Sequence, residues 1–290
     1  MKRYWYSSAC VLALLWSPVA HSVTDCVGTR AAHENEICFD LYNDHLVVVQ
    51  GSVGSIEGVP VLLDTGKSPT AISREVAERL GLHGDLQRLL FSNGTIQAES
   101  VTLPTLSIGT LHVSGARVLV QDLSYFEKQF GISLAAIIGL DVLGTSSFVI
   151  DYQKRKIILG RTRLGKKRVP FATRVPFLTI DARVDGQVLR LLVDSGMSGL
   201  LVYDKSFNSM RPLMATNSGP LISTALGPMR TAWYQASEVS LGSQTLGPRI
   251  MLLAYAAPNP QYKFDGLLGF VKMGFRKVWF DFDDGVLAWE

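Results

Sequence analysis

The sequence predicts a mainly β protein built from two similar halves. Three observations predict this: a set of short motifs that occurs once in each half, β-rich runs separated by glycine-containing turns, and only one stretch with a helical pattern. The length of 290 residues suits two domains of about 150 residues each. A composition of 47% hydrophobic and 18% charged residues excludes a disordered chain.

Four landmarks carry the internal repeat, and they occur in the same order in both halves. Three of them recur at one common offset, and the fourth at an offset only slightly longer. The pairs are 61–66 (VLLDTG) with 191–196 (LLVDSG), 137–139 (IIG) with 267–269 (LLG), 150–152 (IDY) with 280–282 (FDF), and 107–109 (SIG) with 240–242 (SLG). A constant order and a nearly constant spacing of this kind predict an internal duplication.

Local patterns predict the individual elements. The helix is expected at 73–80, where Ser73 can cap the start and Gly81 can end it. The pair Asp185-Gly186 between two β-rich runs is a strong hairpin signal. The predicted strands are 45–50, 59–63, 148–152, 156–159, 177–184, 187–193, 278–282 and 286–289.

The N-terminus has the pattern of an export signal. Lys2 and Arg3 precede the apolar run 9–16, and 20–22 (AHS) offers small residues for a cleavage site. The apolar run is shorter than the roughly 20 residues that span a bilayer. We therefore expect an exported protein, periplasmic or secreted, with no stable membrane insertion after cleavage of the signal. An uncleaved membrane anchor is the alternative.

Charge and cysteine content narrow the possible partners. Loss of Lys2 and Arg3 with the signal lowers the net charge from +3 to +1, which gives no reason to expect nucleic acid as a partner. Cys26 and Cys38 would remain after export, and an oxidising compartment favours a disulfide between them. Two cysteines with one histidine between them do not make a metal site, so no metal is expected.

These observations divide the chain into a signal peptide (1–22), an N-terminal extension (23–43), a first lobe (44–160), a basic linker (161–176) and a second lobe (177–290). The extension suits either a covering segment or a structural one. The linker's charges favour a solvated connector. The alternative is a site that contacts an acidic partner or is cut by another protease.

Two tripeptides carry the candidate chemistry. Asp64-Thr65-Gly66 and Asp194-Ser195-Gly196 each follow an apolar strand, and each is followed later in the same half by two aliphatic residues and a glycine. This combination resembles the aspartic proteases, both the single-lobe retropepsin type and the two-lobe pepsin type. The run 139–143 (GLDVL) also resembles the Gly-x-Asp-x-Leu segment of bacterial retropepsin-like domains.

The resemblance implies a pseudo-twofold symmetric, two-lobe acid-protease fold with Asp64 and Asp194 as the catalytic dyad. Since one chain supplies both carboxyls, we expect a monomer. The resemblance also implies a support for the dyad from Thr65, Gly66, Ser195, Gly196, Ile138, Gly139, Leu268 and Gly269.

The implied function is endopeptidase activity on a peptide or protein substrate. Two carboxyls about 3 Å apart share one proton, so one can act as a base on water while the other donates to the substrate carbonyl. This chemistry requires no metal, cofactor or covalent intermediate.

Two hairpins are candidates for flaps over the cleft, with Asn93-Gly94 and Gly227-Pro228 at their turns. Such flaps would exclude water and align an extended peptide. Lys67 and Met197 follow the two tripeptides, where this family usually has a small residue. Met197 is expected to pack into a substrate pocket. Lys67 either points to solvent, which we favour slightly, or lines the cleft and favours acidic substrate side chains.

Two other functions compete with proteolysis. A non-catalytic peptide-binding or chaperone-like protein could keep the same fold, and Lys67 is the main argument for it. A glycosidase would need carboxyls about 5 Å or more apart, which the tight-turn context disfavours.

Overall fold

A computed structural model describes residues 35–91, 94–174, 177–206, 218–224, 227–255 and 264–290, together with two short strands at 5–6 and 12–13. Most of the predicted export signal and Cys26 lie outside these residues. The export signal and the Cys26–Cys38 disulfide therefore stay predictions.

Strands dominate the described chain. Those of the N-terminal half are β1 (Trp5–Tyr6), β2 (Leu12–Ala13), β3 (Glu36–Cys38), β4 (Asp40–Tyr42), β5 (Leu46–Val53), β6 (Ile56–Leu63), β7 (Ala71–Ser73), β8 (Asp85–Phe91), β9 (Gly94–Ile108), β10 (Leu111–Gln121), β11 (Ala136–Ile138), β12 (Phe148–Asp151) and β13 (Lys156–Leu159). The helices of this half are α1 (Arg74–Arg79), α2 (Ser124–Phe130) and α3 (Leu140–Leu143).

The C-terminal half continues with β14 (Lys167–Pro170), β15 (Ala172–Arg174), β16 (Phe177–Val184), β17 (Gln187–Val193), β18 (Leu200–Tyr203), β19 (Ile222–Thr224), β20 (Gly227–Met229), β21 (Thr231–Leu241), β22 (Gln244–Ala254), β23 (Gly266–Leu268), β24 (Lys277–Asp281) and β25 (Val286–Trp289). Two short 3-10 helices lie at Asp204–Ser206 and Val271–Met273.

The first half is organised around a nine-stranded sheet in the order β1-β8-β9-β10-β7-β11-β6-β5-β4. An additional pairing of β9 with β5 curls this sheet into a barrel-like form. The short strand β11 lies between β6 and β7 and runs parallel to β6, with Ile138 opposite Leu63. This pairing brings residues 137–139 against the end of the strand that leads into Asp64.

The second half contains a seven-stranded sheet in the order β15-β16-β17-β23-β18-β22-β21, with an additional pairing of β16 with β21. Here β23 lies between β17 and β18 and runs parallel to β17, with Leu268 opposite Val193. The pairing of β6 with β11 in the first half thus has a counterpart in the second. A separate three-stranded sheet contains β2, β19 and β20.

A six-stranded sheet joins the two halves in the order β14-β25-β24-β12-β13-β3. Its central pair is β12 with β24, in which Phe148 lies opposite Phe280 and the two rings stack with centroids 4.5 Å apart. Each half therefore contributes strands to one continuous sheet with a buried aromatic contact at its centre.

The predicted local elements are present. Strands β16 and β17 form a hairpin around Asp185 and Gly186, which have positive φ angles of 45° and 85° as the turn requires. Helix α1 begins after Ser73, whose Oγ accepts a hydrogen bond from the Val76 N–H at 3.1 Å. The helix is followed by Gly81 at φ 61°.

Two expectations need correction. The first half has three helices where one was predicted, because α2 and α3 are short and lack a side-chain cap at their start. The segment 161–176 is more than a solvated connector, since it contains β14 and β15. The Arg161 guanidinium, which is largely exposed, forms ion pairs with Asp281, Asp283 and Asp284.

None of the helices in the described ranges combines the length and the apolar character that crossing a bilayer would require.

Candidate active site

Two equivalent turns follow β6 and β17, and each is held by the short strand beside it. The Asp64 N–H donates to the Ile138 carbonyl at 3.0 Å, and the Asp194 N–H donates to the Leu268 carbonyl at 2.9 Å. The strand ends therefore position both aspartates through main-chain hydrogen bonds.

Each turn also closes on its own aspartate. The Gly66 N–H donates to Asp64 Oδ1 at 2.9 Å, and the Gly196 N–H donates to Asp194 Oδ1 at 2.8 Å. These bonds orient one oxygen of each carboxyl toward the backbone, and the Gly196 N–H acts to lower the pKa of Asp194.

The two turns hold each other through reciprocal hydrogen bonds. The Thr65 N–H donates to Ser195 Oγ at 3.0 Å, and the Ser195 N–H donates to Thr65 Oγ1 at 3.0 Å. Thr65 Oγ1 then donates to the Val193 carbonyl at 3.0 Å, and Ser195 Oγ donates to the Leu63 carbonyl at 3.2 Å. All four bonds are buried, so the hydroxyl of each turn is fully used by the other half.

Close approach of the turns brings the carboxyls together. A Cβ added to Gly66 would lie within 2.6 Å of both Asp194 carboxylate oxygens, and one added to Gly196 would lie 3.2 Å from Asp64 Oδ1. At Gly66 any side chain would collide with the opposite carboxyl, and at Gly196 a Cβ would make an unusually tight contact. The carboxyls of Asp64 and Asp194 are in hydrogen-bond contact.

The environment favours one shared proton. Asp64 and Asp194 both have 0% exposure. Burial raises the pKa of Asp194 well above its ordinary value, and the adjacent Asp64 charge raises it further. The pair therefore retains a proton at a pH where an isolated aspartate would have lost it.

Residues 49–142 match a family model described as aspartyl protease. The matched segment includes Asp64-Thr65-Gly66 and the Ile137-Ile138-Gly139 strand behind it. The match supports an aspartyl protease. It covers about a third of the chain, within the first half, and the mainly β, barrel-like sheets are consistent with that family's fold. A search of curated proteins finds no match to this chain.

Two residues that the sequence did not assign to the site, Thr70 and Asp141, reinforce the Asp64-Thr65-Gly66 turn in the first half. Asp141 accepts hydrogen bonds from the Thr70 N–H and Thr70 Oγ1, each at 2.9 Å to Oδ1. Thr70 Oγ1 in turn accepts from the Gly139 N–H at 2.9 Å. The Gly-x-Asp-x-Leu run was the signal that could have identified Asp141. Its partner Thr70 has no comparable local signal.

Lys67 does not point to solvent, so that expectation is wrong. The residue is 2% exposed, and its Nζ donates to Gln121 Oε1 at 3.0 Å at the end of β10. Its main chain also supports the turn, because the Lys67 carbonyl accepts from the Leu140 N–H at 2.7 Å. Lys67 is thus a buried part of the turn that follows Asp64, and its predicted contact with substrate stays a prediction.

Met197 is 1% exposed and belongs to an apolar cluster that includes the second candidate flap. The cluster is rich in aromatic and long aliphatic side chains. Its members are Phe177, Leu192, Met197, Leu201, Tyr203, Ile222, Met229, Leu252, Ala254, Phe264 and Leu267. Packing of Met197 is therefore apolar as expected, whereas a substrate pocket at this place stays a prediction.

Both candidate flaps are hairpins. In the first, β8 pairs with β9 and Phe91 lies opposite Gly94, while Asn93 lies outside the described residues. In the second, β19 pairs with β20 and Gly227 lies opposite Thr224, so Gly227 and Pro228 belong to strand β20 and the prediction that they form the turn is wrong. Their action as flaps on a substrate remains a prediction.

Two further buried polar groups lie beside the second turn. His45, immediately before β5, interacts with the Gly196 backbone. The buried Tyr152 hydroxyl has its pKa raised by burial and by the charge of Asp194. Both neighbours are distant in sequence, so no local pattern could have placed them here. Across the described ranges, no three His, Cys, Asp or Glu side chains are grouped to hold a metal ion.

Proposed function

We propose that the protein is an exported aspartic endopeptidase in which Asp64 and Asp194, one from each of two related lobes, activate water for peptide hydrolysis. The observation that carries the proposal is the set of four reciprocal hydrogen bonds between the two turns, which holds the carboxyls face to face. The aspartyl protease match to the first half supports it independently.

The two-lobe interpretation rests on matched pairings. Ile138 lies opposite Leu63 in the first half, and Leu268 lies opposite Val193 at the equivalent place in the second. The Asp-Thr-Gly and Asp-Ser-Gly turns also have the same internal hydrogen bonds. A pseudo-twofold axis between the turns accounts for both correspondences, and a single chain then suffices for a complete dyad.

The chemistry follows from the shared proton. The ionised member of the dyad removes a proton from water as the water attacks the peptide carbonyl carbon, and the protonated member donates to the carbonyl oxygen. The resulting tetrahedral diol collapses when a dyad proton passes to the leaving nitrogen and the C–N bond breaks. The backbone N–H groups of Gly66 and Gly196 hold the carboxyls in place during both steps.

An extended substrate suits the site better than a compact one. Strand β20 of the second hairpin is the outer strand of its sheet, so it offers an edge that can pair with a peptide main chain. The apolar cluster around Met197 provides surface for a large aliphatic or aromatic substrate side chain.

The decisive test is digestion of a peptide library from pH 3 to pH 7, with products identified by mass spectrometry. Asp64→Asn and Asp194→Asn should each abolish cleavage, and a chelator should have no effect. Asp181→Asn is a matched control, because Asp181 is exposed on β16 and pairs only with Arg190 among the described contacts. Cleavage that persists in either dyad variant would place the chemistry elsewhere. Binding of peptides without turnover would favour the non-catalytic alternative.

A further inference from the structure

An imidazole from the first half lies buried against the candidate catalytic turn of the second half. His45 is 1% exposed and directly precedes β5. Its Nδ1 lies 2.5 Å from the Asn43 carbonyl oxygen, which can only accept, so Nδ1 carries a proton. Its Nε2 is buried and makes no hydrogen bond within the described residues that meets strict geometry.

The number of protons on the His45 imidazole decides whether Nε2 can donate a hydrogen bond to the neighbouring backbone. The backbone of Gly196 interacts with the ring and raises the pKa of His45, so the group involved is an acceptor, and the Gly196 carbonyl is the only backbone acceptor of that residue. A neutral ring with its proton on Nδ1 presents a lone pair at Nε2 to this carbonyl. A doubly protonated ring can donate to Asn43 and to Gly196 at the same time.

The surroundings set when the second proton binds. The pKa of His45 is lowered to about 4; burial is the largest cause, and the positive charge of Lys272 acts in the same direction. The two carbonyls and the negative charge of Asp44 act in the opposite direction. His45 is therefore neutral at neutral pH and becomes charged only in acid.

We propose that His45 is a positioning residue for the Asp194 turn: in acid its imidazole joins the Asn43 carbonyl of the first half to the Gly196 carbonyl of the second, and so holds Asp194 opposite Asp64. This inference rests on the proposed function. A contact of His45 with Gly196 affects Asp194, because the Gly196 N–H donates a hydrogen bond to Asp194 Oδ1. Val48 lies opposite Leu62 in the first half and Thr179 lies opposite Leu192 in the second, so the position equivalent to His45 in the repeat is Pro176, which has no titratable side chain.

Kinetics across pH separate positioning from simple packing. We would measure kcat and KM for a peptide from the library at pH 3.5 and pH 6.5, in the unaltered protein, His45→Leu and His45→Gln. His45→Leu should lose about tenfold in kcat at pH 3.5, less than about twofold at pH 6.5, and leave KM unchanged. His45→Gln keeps an N–H donor at every pH, so it should restore part of kcat with no dependence on pH.

A second measurement does not depend on activity or on the stability of a variant. Histidine labelled with 13C and 15N reports the protonation and tautomer of each ring by NMR, and the His45 signal is the one absent from His45→Gln. We expect the Nδ1–H tautomer at pH 7, titration near pH 4, and two hydrogen-bonded ring protons below that pH. An Nε2–H tautomer at pH 7, or titration near the ordinary value, would overturn the proposal.

The outcomes for the two proposals are distinct. If the unaltered protein cleaves no peptide at any pH, the proposed function fails and the positioning role fails with it. If the unaltered protein cleaves peptides and His45→Leu loses the same fraction of kcat at both pH values, only the positioning role fails.

Discussion

The reciprocal hydrogen bonds between the two turns make a quantitative prediction. Thr65→Val keeps the size of the side chain but removes a hydroxyl that accepts from the Ser195 N–H and donates to the Val193 carbonyl. Ser195→Ala removes the hydroxyl that accepts from the Thr65 N–H and donates to the Leu63 carbonyl. Each substitution leaves one buried N–H and one buried carbonyl without that partner.

The expected cost can be worked from these contacts. An unsatisfied buried polar group costs about 1–3 kcal/mol, so each single variant should lower the free energy of unfolding by about 2–6 kcal/mol. The two substitutions loosen the same contact, and the second should therefore cost less than the first. We expect the double variant to differ from the sum of the single variants by about 1 kcal/mol or more.

Urea unfolding of the unaltered protein, the two single variants and the double variant would measure this cycle. Thr105→Val is the matched control, since Thr105 Oγ1 makes one exposed contact, to the Gly54 carbonyl at 3.3 Å. The control should stay within about 0.5 kcal/mol of the unaltered protein. The reasoning would be refuted if Thr65→Val were no more destabilising than Thr105→Val, or if the single costs simply added.

Three further predictions concern the residues around the dyad. Gly66→Ala places a methyl within 2.6 Å of both Asp194 carboxylate oxygens, so kcat should fall by about 100-fold with circular dichroism preserved, and an unchanged kcat would contradict the close approach. Lys67→Met removes a buried positive charge, so the acidic limb of the plot of kcat/KM against pH should move to higher pH. Cleavage beside acidic substrate side chains should also decrease. An unchanged acidic limb together with an unchanged substrate preference would contradict a cleft-lining role for Lys67. The pKa of His45 is about 4 in the folded protein and 6.5 ordinarily, so the unfolded chain binds more protons than the folded protein between these pH values. The free energy of unfolding should therefore rise by about 3 kcal/mol from pH 4 to pH 6.5 through this residue. Urea unfolding at both pH values should show this contribution lost in His45→Leu, and an unaltered slope would contradict it.

Local chemistry explains the parts of the fold that the sequence predicts well. The hairpin at Asp185-Gly186 needs residues that tolerate positive φ, and the start of α1 needs the hydroxyl of Ser73. These requirements involve residues within a few positions of each other. The internal repeat adds the expectation that Asp64 and Asp194 have equivalent surroundings.

Features that depend on distant partners could not be read in the same way. Strand β14 forms because β25, at the far end of the second half, offers an edge to Lys167–Pro170. Lys67 is buried because Gln121 meets its Nζ from the end of β10. The backbone of Gly196, which acts on the pKa of His45, belongs to the other half. In each case the decisive neighbour is visible only once the sheets are assembled.

The six-stranded sheet limits how the molecule can admit a substrate. Because β12 and β24 pair directly and Phe148 stacks on Phe280, the six-stranded sheet is continuous across the boundary between the two halves. Two domains joined only by a flexible linker could separate, whereas these halves are held together by the hydrogen bonds of a shared sheet. Under the proposed function, a peptide would therefore reach the buried Asp64 and Asp194 through movement of the candidate flap hairpins β8–β9 and β19–β20, and not through separation of the halves.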